Sequence, residues 1–277
     1  MQKNKPVPNS IGILNHLFFT LASASLLMAM YSSLRVALLV YNREQLGGTT
    51  ASMLAEAFFN GLRFDLRLVV FACLPLLLAL PSIRAMAART FFRYWLTIFA
   101  SITLFLGVVE LDFYREFNQR LNGLVFQYLR EDPKTVLSML WYGFPVVRYL
   151  LAWAAATWVI AWLIQRLEQL TRSYPYPEEG QLGFLSKWPV RLLLFLMACL
   201  LSLIAARGTL RQGPPLRWGD AFTTDSTFAN QLGLNGTLML VAAAKNRFSP
   251  QRDNIWKSDL PPAEALVLVR QMLLTDS

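Results

Sequence analysis

The sequence predicts an all-α membrane protein with five transmembrane helices, an interfacial amphipathic helix and a C-terminal extracytoplasmic helical linker. Three observations carry that prediction. Of 277 residues, 55% are hydrophobic and only 16% charged, where a soluble domain carries about a quarter charged residues; mean hydropathy is +0.39. The apolar residues are bunched into long runs, as in a chain that crosses a bilayer repeatedly. Between the third and fourth runs, Glu110 to Pro145 shows helical rather than random spacing of its apolar residues. The expected spans are about 14–40, 57–80, 92–110, 145–164 and 188–206, making a membrane domain over 1–206 followed by linker helices over 207–277.

Composition also excludes classes. Cys73 and Cys199 both lie inside apolar runs, so no disulfide framework is implied. The only histidine, His16, has no neighbours that make a metal site. The net charge of +9 is placed around the apolar runs, which suits anionic lipid head groups rather than nucleic acid. No zinc-finger spacing or glycine-rich phosphate loop argues otherwise.

The first run follows Lys3 and Lys5 and passes through Ala22-Ser23-Ala24, which is similar to a signal-peptidase triplet. The apolar run continues well beyond it, so an uncleaved anchor is expected, with Asn15 and His16 at the interface. The second run is apolar only from Leu68 to Leu80, short of the ~20 residues a bilayer needs. Its helix must therefore extend back through Asn60-Gly61-Leu62-Arg63-Phe64-Asp65-Leu66-Arg67. Arg63 and Arg67 share a helical face, and Asp65 lies on another. Either the arginines snorkel to the interface, or they form an ionic rim that meets a lipid phosphate. Pro75 predicts a kink. A basic turn with Arg84, Arg89 and Arg93 leads into the third run.

In Glu110–Pro145, Tyr114, Phe117, Leu121, Leu124, Val125 and Tyr128 fall on one helical face. Asp112, Glu116, Gln119, Gly123, Gln127 and Arg130 fall on the other. Such a helix can lie in the membrane interface or pack as a loop. Asp132 before Pro133 reads as an N-cap and a first-turn proline that start a second helix through Lys134 to Phe144. The fourth run has Arg148 at its start. Gln165 to Lys187 reads as a polar loop, with Tyr174-Pro175-Tyr176-Pro177-Glu178-Glu179-Gly180 as its turn signal. The fifth run closes on Arg207-Gly208.

Orientation rests on the basic residues. One set of flanks has Lys3, Lys5, Arg84, Arg89, Arg93, Arg166, Arg172, Lys187 and Arg191; the other has Arg43, Arg63, Arg67, Arg115, Arg120, Arg130, Lys134 and Arg148. The balance is near even, and the two lysines before the first span place the N-terminus in the cytoplasm and the tail outside. In the tail, Asp225-Ser226-Thr227 starts a helix that takes in Phe228, Leu232 and the run Leu238–Ala244. A second helix is expected from Pro261-Pro262 to Leu274, with no partner for either helix within the tail.

Taken in order, Gly61-Leu62-Arg63-Phe64-Asp65-Leu66, Glu110-Leu111-Asp112-Phe113-Tyr114, Arg120-Leu121-Asn122, Tyr128-Leu129-Arg130-Glu131-Asp132 and Ala229-Asn230-Gln231-Leu232-Gly233-Leu234-Asn235 make a pattern. The chain resembles, over essentially its whole length, the membrane portion of the lipoteichoic acid synthase-like phosphoglycerol transferases. The resemblance implies a bacterial inner-membrane protein whose five spans and linker helices precede an extracytoplasmic sulfatase-type domain. In the family that domain holds manganese or magnesium and a threonine nucleophile, and takes phosphoglycerol from phosphatidylglycerol. This sequence ends where that domain begins, so the chain alone is expected to be inactive, with no catalytic residue and no cofactor of its own. The resemblance carries Arg63, Asp65, Asp112 and Arg120 over only as motif matches; together with Arg67 and Arg130 they are the candidate contacts to a lipid head group or to the following domain. The implied partners are an anionic phospholipid and a sulfatase-type domain in cis or in trans. Two alternatives remain: a stand-alone scaffold that docks a separate enzyme, and the membrane domain of a phosphoethanolamine transferase-like protein. A small transporter is disfavoured by the lack of an internal repeat.

Overall fold

A computed structural model describes residues 12–128, 130–173, 187–209, 212–248, 261, 264–266 and 269–271. Among these, all regular structure is helical. Five long helices set the frame: α1 (Ile13–Tyr41), α2 (Ala51–Leu78), α4 (Arg89–Phe117), α7 (Val146–Ser173) and α8 (Trp188–Arg207). Short elements join them: α3 (Ile83–Met86), α5 (Leu124–Tyr128) and α6 (Pro133–Gly143). The tail supplies α9 (Thr227–Leu232) and α10 (Gly236–Phe248).

Four helices are long and apolar enough to cross a membrane: α1, α4, α7 over Val146–Arg172, and α8. These mark the chain as a membrane protein. Helix α2 is as long, at 28 residues, but Glu56, Arg63, Asp65 and Arg67 interrupt its apolar character.

α1 lies at the centre, packed by α2, α4 and α7, while α8 leans on α2 from outside. The core between them is built from Phe19, Leu27, Leu68, Ala72, Leu76 and Leu96 with their neighbours. Outward-facing leucines of α8, such as Leu193, Leu200 and Leu203, stay exposed, as suits a surface whose solvent is hydrocarbon rather than water.

Several expectations change. The helix expected to run from Glu110 to Arg130 is broken. α4 carries on through Phe117, and Asn118 takes a left-handed conformation (φ 53°) that ends it, a position asparagine tolerates. Of the apolar face, Tyr114 and Leu121 are buried and Phe117, Leu124, Val125 and Tyr128 half-buried; of the polar face, Glu116, Gln119, Gly123, Gln127 and Arg130 are exposed and Asp112 half-buried. Asp132 does cap α6, its Oδ2 accepting from the Thr135 N–H at 3.0 Å, with Pro133 in the first turn.

The polar stretch after span four is helical to Ser173, because Gln165–Arg172 are helix formers that continue α7 rather than leave it. The rest of that loop lies outside the described residues, as does most of the expected helix from Pro261 to Leu274. The helix expected from Ser226 to Ala244 is two helices, interrupted at Gly233–Asn235. The tail finds its partners on the long helices rather than within itself. Phe228, Ala229 and Leu232 of α9 pack on Leu38, Ala57 and Tyr114, and Leu216, Ala221 and Leu234 pack on Phe64.

Candidate functional site: a polar clamp on the tail

Two ion pairs are buried where the tail crosses α1, α2 and α4. Arg35 of α1 meets Asp65 of α2 through both guanidinium nitrogens, Nη1 to Oδ2 at 2.6 Å and Nη2 to Oδ1 at 3.1 Å. Their side chains are 2% and 0% exposed. Arg120, just beyond α4, donates to Glu110 Oε2 at 2.7 Å. The glutamate's other oxygen accepts from the Leu121 N–H at 3.4 Å, which folds the chain after Asn118 back onto α4. Two positive and two negative charges make the cluster neutral, the condition for holding ions out of water.

What the arginines do beyond their carboxylates defines the site. Arg35 Nε donates to the Leu232 carbonyl at 2.9 Å, and its Nη2 to that of Leu234 at 3.4 Å. Arg120 donates to the same two carbonyls, and its Nε donates to Gln231 O at 3.0 Å. These carbonyls are available because the helix stops between α9 and α10, which removes their intrahelical donors. Arginine's planar fork can serve a carboxylate and a carbonyl at once, which lysine's point charge cannot.

Asn235 completes the clamp. Its Nδ2 donates to Asp65 Oδ1 at 2.7 Å, while its Oδ1 caps α10 by accepting from the N–H groups of Thr237 and Leu238. Two glycines make room: a Cβ at Gly61 would overlap the Arg35 guanidinium, and one at Gly236 the Glu110 carboxylate. A cavity of about 20 Å³ remains, lined in part by Tyr31, Thr103 and Thr237; that is room for about one water.

The remaining basic residues of α2 also reach the tail. Arg63 Nε donates to Gly208 O at 3.0 Å, and Arg67 Nη1 to Leu216 O at 3.3 Å. Beside them, Asn230 accepts from the N–H groups of Thr223 and Thr224 and returns a bond to Thr224 O. Asn60 holds Thr223 Oγ1 at 3.2 Å, and Thr49 and Ser226 join hydroxyls at 2.6 Å.

The site residues read from the sequence are thus divided. Asp65 and Arg120 stand in the clamp, and Arg63 and Arg67 flank it. Asp65 pairs with Arg35 rather than Arg63, and Arg120 pairs with Glu110 rather than Asp112. Asp112 sits apart, accepting from Tyr41 Oη at 2.7 Å. Arg130 is exposed on the turn before α6, where its N–H donates to Gln127 O at 2.9 Å. Arg35, Glu110 and Asn235 complete the clamp without having been singled out. The signal for Arg35 was available: an arginine well inside a 29-residue apolar helix requires an acidic partner.

The chemistry on offer is positioning. The resemblance implies manganese or magnesium in the following domain, not here, and the clamp carboxylates are engaged otherwise: Asp65 by Arg35 and Asn235, Glu110 by Arg120. His16 is at the opposite end of the bundle, its ring nitrogen on Leu76 O at 2.7 Å. No family model matches the chain, and comparisons with curated proteins and with solved structures return no match.

Proposed function

We propose that this chain is the membrane domain of a phosphoglycerol transferase-like protein. It anchors an extracytoplasmic sulfatase-type catalytic domain, in cis or in trans, and presents phospholipid to it at the outer face of the bacterial inner membrane. In this reading α2 is the fifth crossing, its charged half shielded by the tail, and the apolar side of α6 rests in the interface. Leu137, Leu140 and Trp141 on α6 are exposed, and the N-terminus is cytoplasmic.

The observation that carries the reading is the clamp. A linker that merely trails from a last span has no need of two buried ion pairs aimed at its carbonyls. A linker that must hold a domain at a fixed height and angle over the lipid surface does, because positional error in a transferase is costly in rate. Arginines that first suggested a lipid phosphate contact instead bind the linker, so lipid is presented by the surface around the clamp rather than inside it.

The test is a fusion. A sulfatase-type domain of the resembled family is joined after Ser277 and assayed with manganese and phosphatidylglycerol in vesicles. The fused domain is expected to release diacylglycerol faster than the same domain added free, and the advantage is expected to vanish with Arg35→Gln combined with Arg120→Gln. Equal rates for fused and free domain would remove the anchoring role.

A further inference from the structure

At the opposite end of the bundle lies a guanidinium that has no hydrogen-bond acceptor among the described residues. Arg89, the first residue of α4, is 0% exposed, and none of its Nε, Nη1 and Nη2 atoms has a hydrogen-bond acceptor. Its Cζ lies over the Phe19 ring at 4.5 Å. That contact is attractive, but it leaves five N–H donors unanswered.

The neighbouring charges do not supply the deficit. Glu168 of α7 is the nearby carboxylate among the described residues: its Oε1 pairs with Arg172 at 2.9 Å, and its Oε2 lies 3.4 Å from Arg93 Nη1 without a hydrogen bond. Both it and Arg172 act on the Arg89 charge, one attracting and the other repelling. Among the described residues, three guanidinium groups thus face one carboxylate. Glu168 Oε2 is free of hydrogen bonds, yet a single carboxylate turned onto Arg89 would still leave the charge of the other two guanidinium groups unbalanced. From α1 the nearby polar group is His16: its Nε2 donates to the Leu76 carbonyl, its Nδ1 is without a partner, and an imidazole carries no negative charge to balance Arg89.

We propose that this end of the bundle is an oxyanion site for a phosphate-type group, held by Arg89 from within and by Arg93 and Arg172 from the rim. Planar arginine forks are suited to phosphate oxygens, and charge-assisted bonds of this kind are the strong ones. The approach is from the α4–α7 side, where the Arg93 and Arg172 side chains are 26% and 47% exposed. Phosphate can reach that position as the head group of an anionic phospholipid, since helices α1, α4 and α7 all have an end at this level, or as a free ion.

Two arms on the full-length chain separate these sources. In the first, delipidated protein in detergent is heated with sodium phosphate or with sodium chloride at matched ionic strength. In the second, native mass spectrometry follows lipid kept after transfer from vesicles of phosphatidylcholine with phosphatidylglycerol. Stabilisation by phosphate identifies a free-ion site, and preferential retention of phosphatidylglycerol without it identifies a lipid site. In either arm Arg89→Gln and Arg172→Gln are expected to weaken binding roughly tenfold each. If Arg89→Gln does not fold, the exposed Arg172→Gln decides alone. Equal response of the parent and the Arg172→Gln protein, in both arms, overturns the proposal.

Discussion

Arg35 and Arg120 donate to the same two backbone carbonyls, those of Leu232 and Leu234. One arginine comes from a helix apolar enough to span a membrane and the other from the segment just past a second such helix. The tail is therefore held from two sides by charges that are themselves neutralised by Asp65 and Glu110. Breaking either pair strands the remaining ion in a buried site with room for about one water, which makes the arrangement fixed rather than adjustable.

The first consequence concerns stability. Arg120→Met leaves Glu110 buried and unpaired and is expected to lower stability by about 3–5 kcal/mol. Combining it with Glu110→Leu removes the stranded charge, so the double variant should be less destabilised than the two single changes added. A coupling of about 0.5–3 kcal/mol is expected. Thermal unfolding in detergent reads both, and strictly additive losses would mean that the two side chains do not interact.

Glycine positions give a contrast that composition cannot. Gly61→Ala and Gly236→Ala each drive a methyl group into a clamp side chain, while Gly123 has nothing within 4 Å of the position a methyl group would take. The first two are expected to loosen the tail, read as faster proteolysis near Leu232–Asn235, and Gly123→Ala to leave it unchanged. Equal proteolysis in all three contradicts the packing described.

Helix α6 should depend on pH through its cap. Hydrogen bonds from the Thr135 side chain, and then from its backbone N–H, hold the Asp132 carboxyl below its ordinary value of 3.8. A carboxyl held low in the folded chain stabilises above the unfolded value and stops doing so as pH falls through the folded one. Hydrogen-exchange protection at Thr135 and Val136 is therefore expected to persist at neutral pH and to fade in acid below 3.8. Asp132→Ala is expected to show the faded level throughout; protection that ignores this change would remove the cap from the account.

Topology tests whether α2 crosses. Reporter fusions after Lys187 and after Arg217 are expected on opposite sides of the membrane, with the second outside. A cytoplasmic reporter after Arg217 would invert the assignment.

Helix content was legible because apolar runs and caps are local signals: Asp132-Pro133 and Ser226 start helices where expected. The breaks were harder. Asn118 ends α4 by adopting a left-handed turn, and the choice to do so follows from the Glu110–Arg120 bond, which joins residues on either side of it. Gly233 and Gly236 lie at a break in a stretch that reads from sequence as one helix, and only the two arginines explain why the chain stops there. The motifs Gly61–Leu66, Glu110–Tyr114, Arg120–Asn122 and Ala229–Asn235 do meet in space. Which acid Arg35 takes was not readable from these motifs, because Arg35 lies in none of them and a partner 30 residues away in sequence has no periodic signature.

The direct test of the clamp is whether the tail lies on α2 in the membrane. A Cβ at Gly233 would stand 3.6 Å from Ala57 Cα, within the reach of a disulfide. Ala57→Cys with Gly233→Cys, in a chain whose Cys73 and Cys199 are replaced by serine, is expected to cross-link under mild oxidation in native membranes. Adding Arg35→Gln and Arg120→Gln is expected to reduce the yield sharply. No cross-link with the clamp arginines intact would contradict the account.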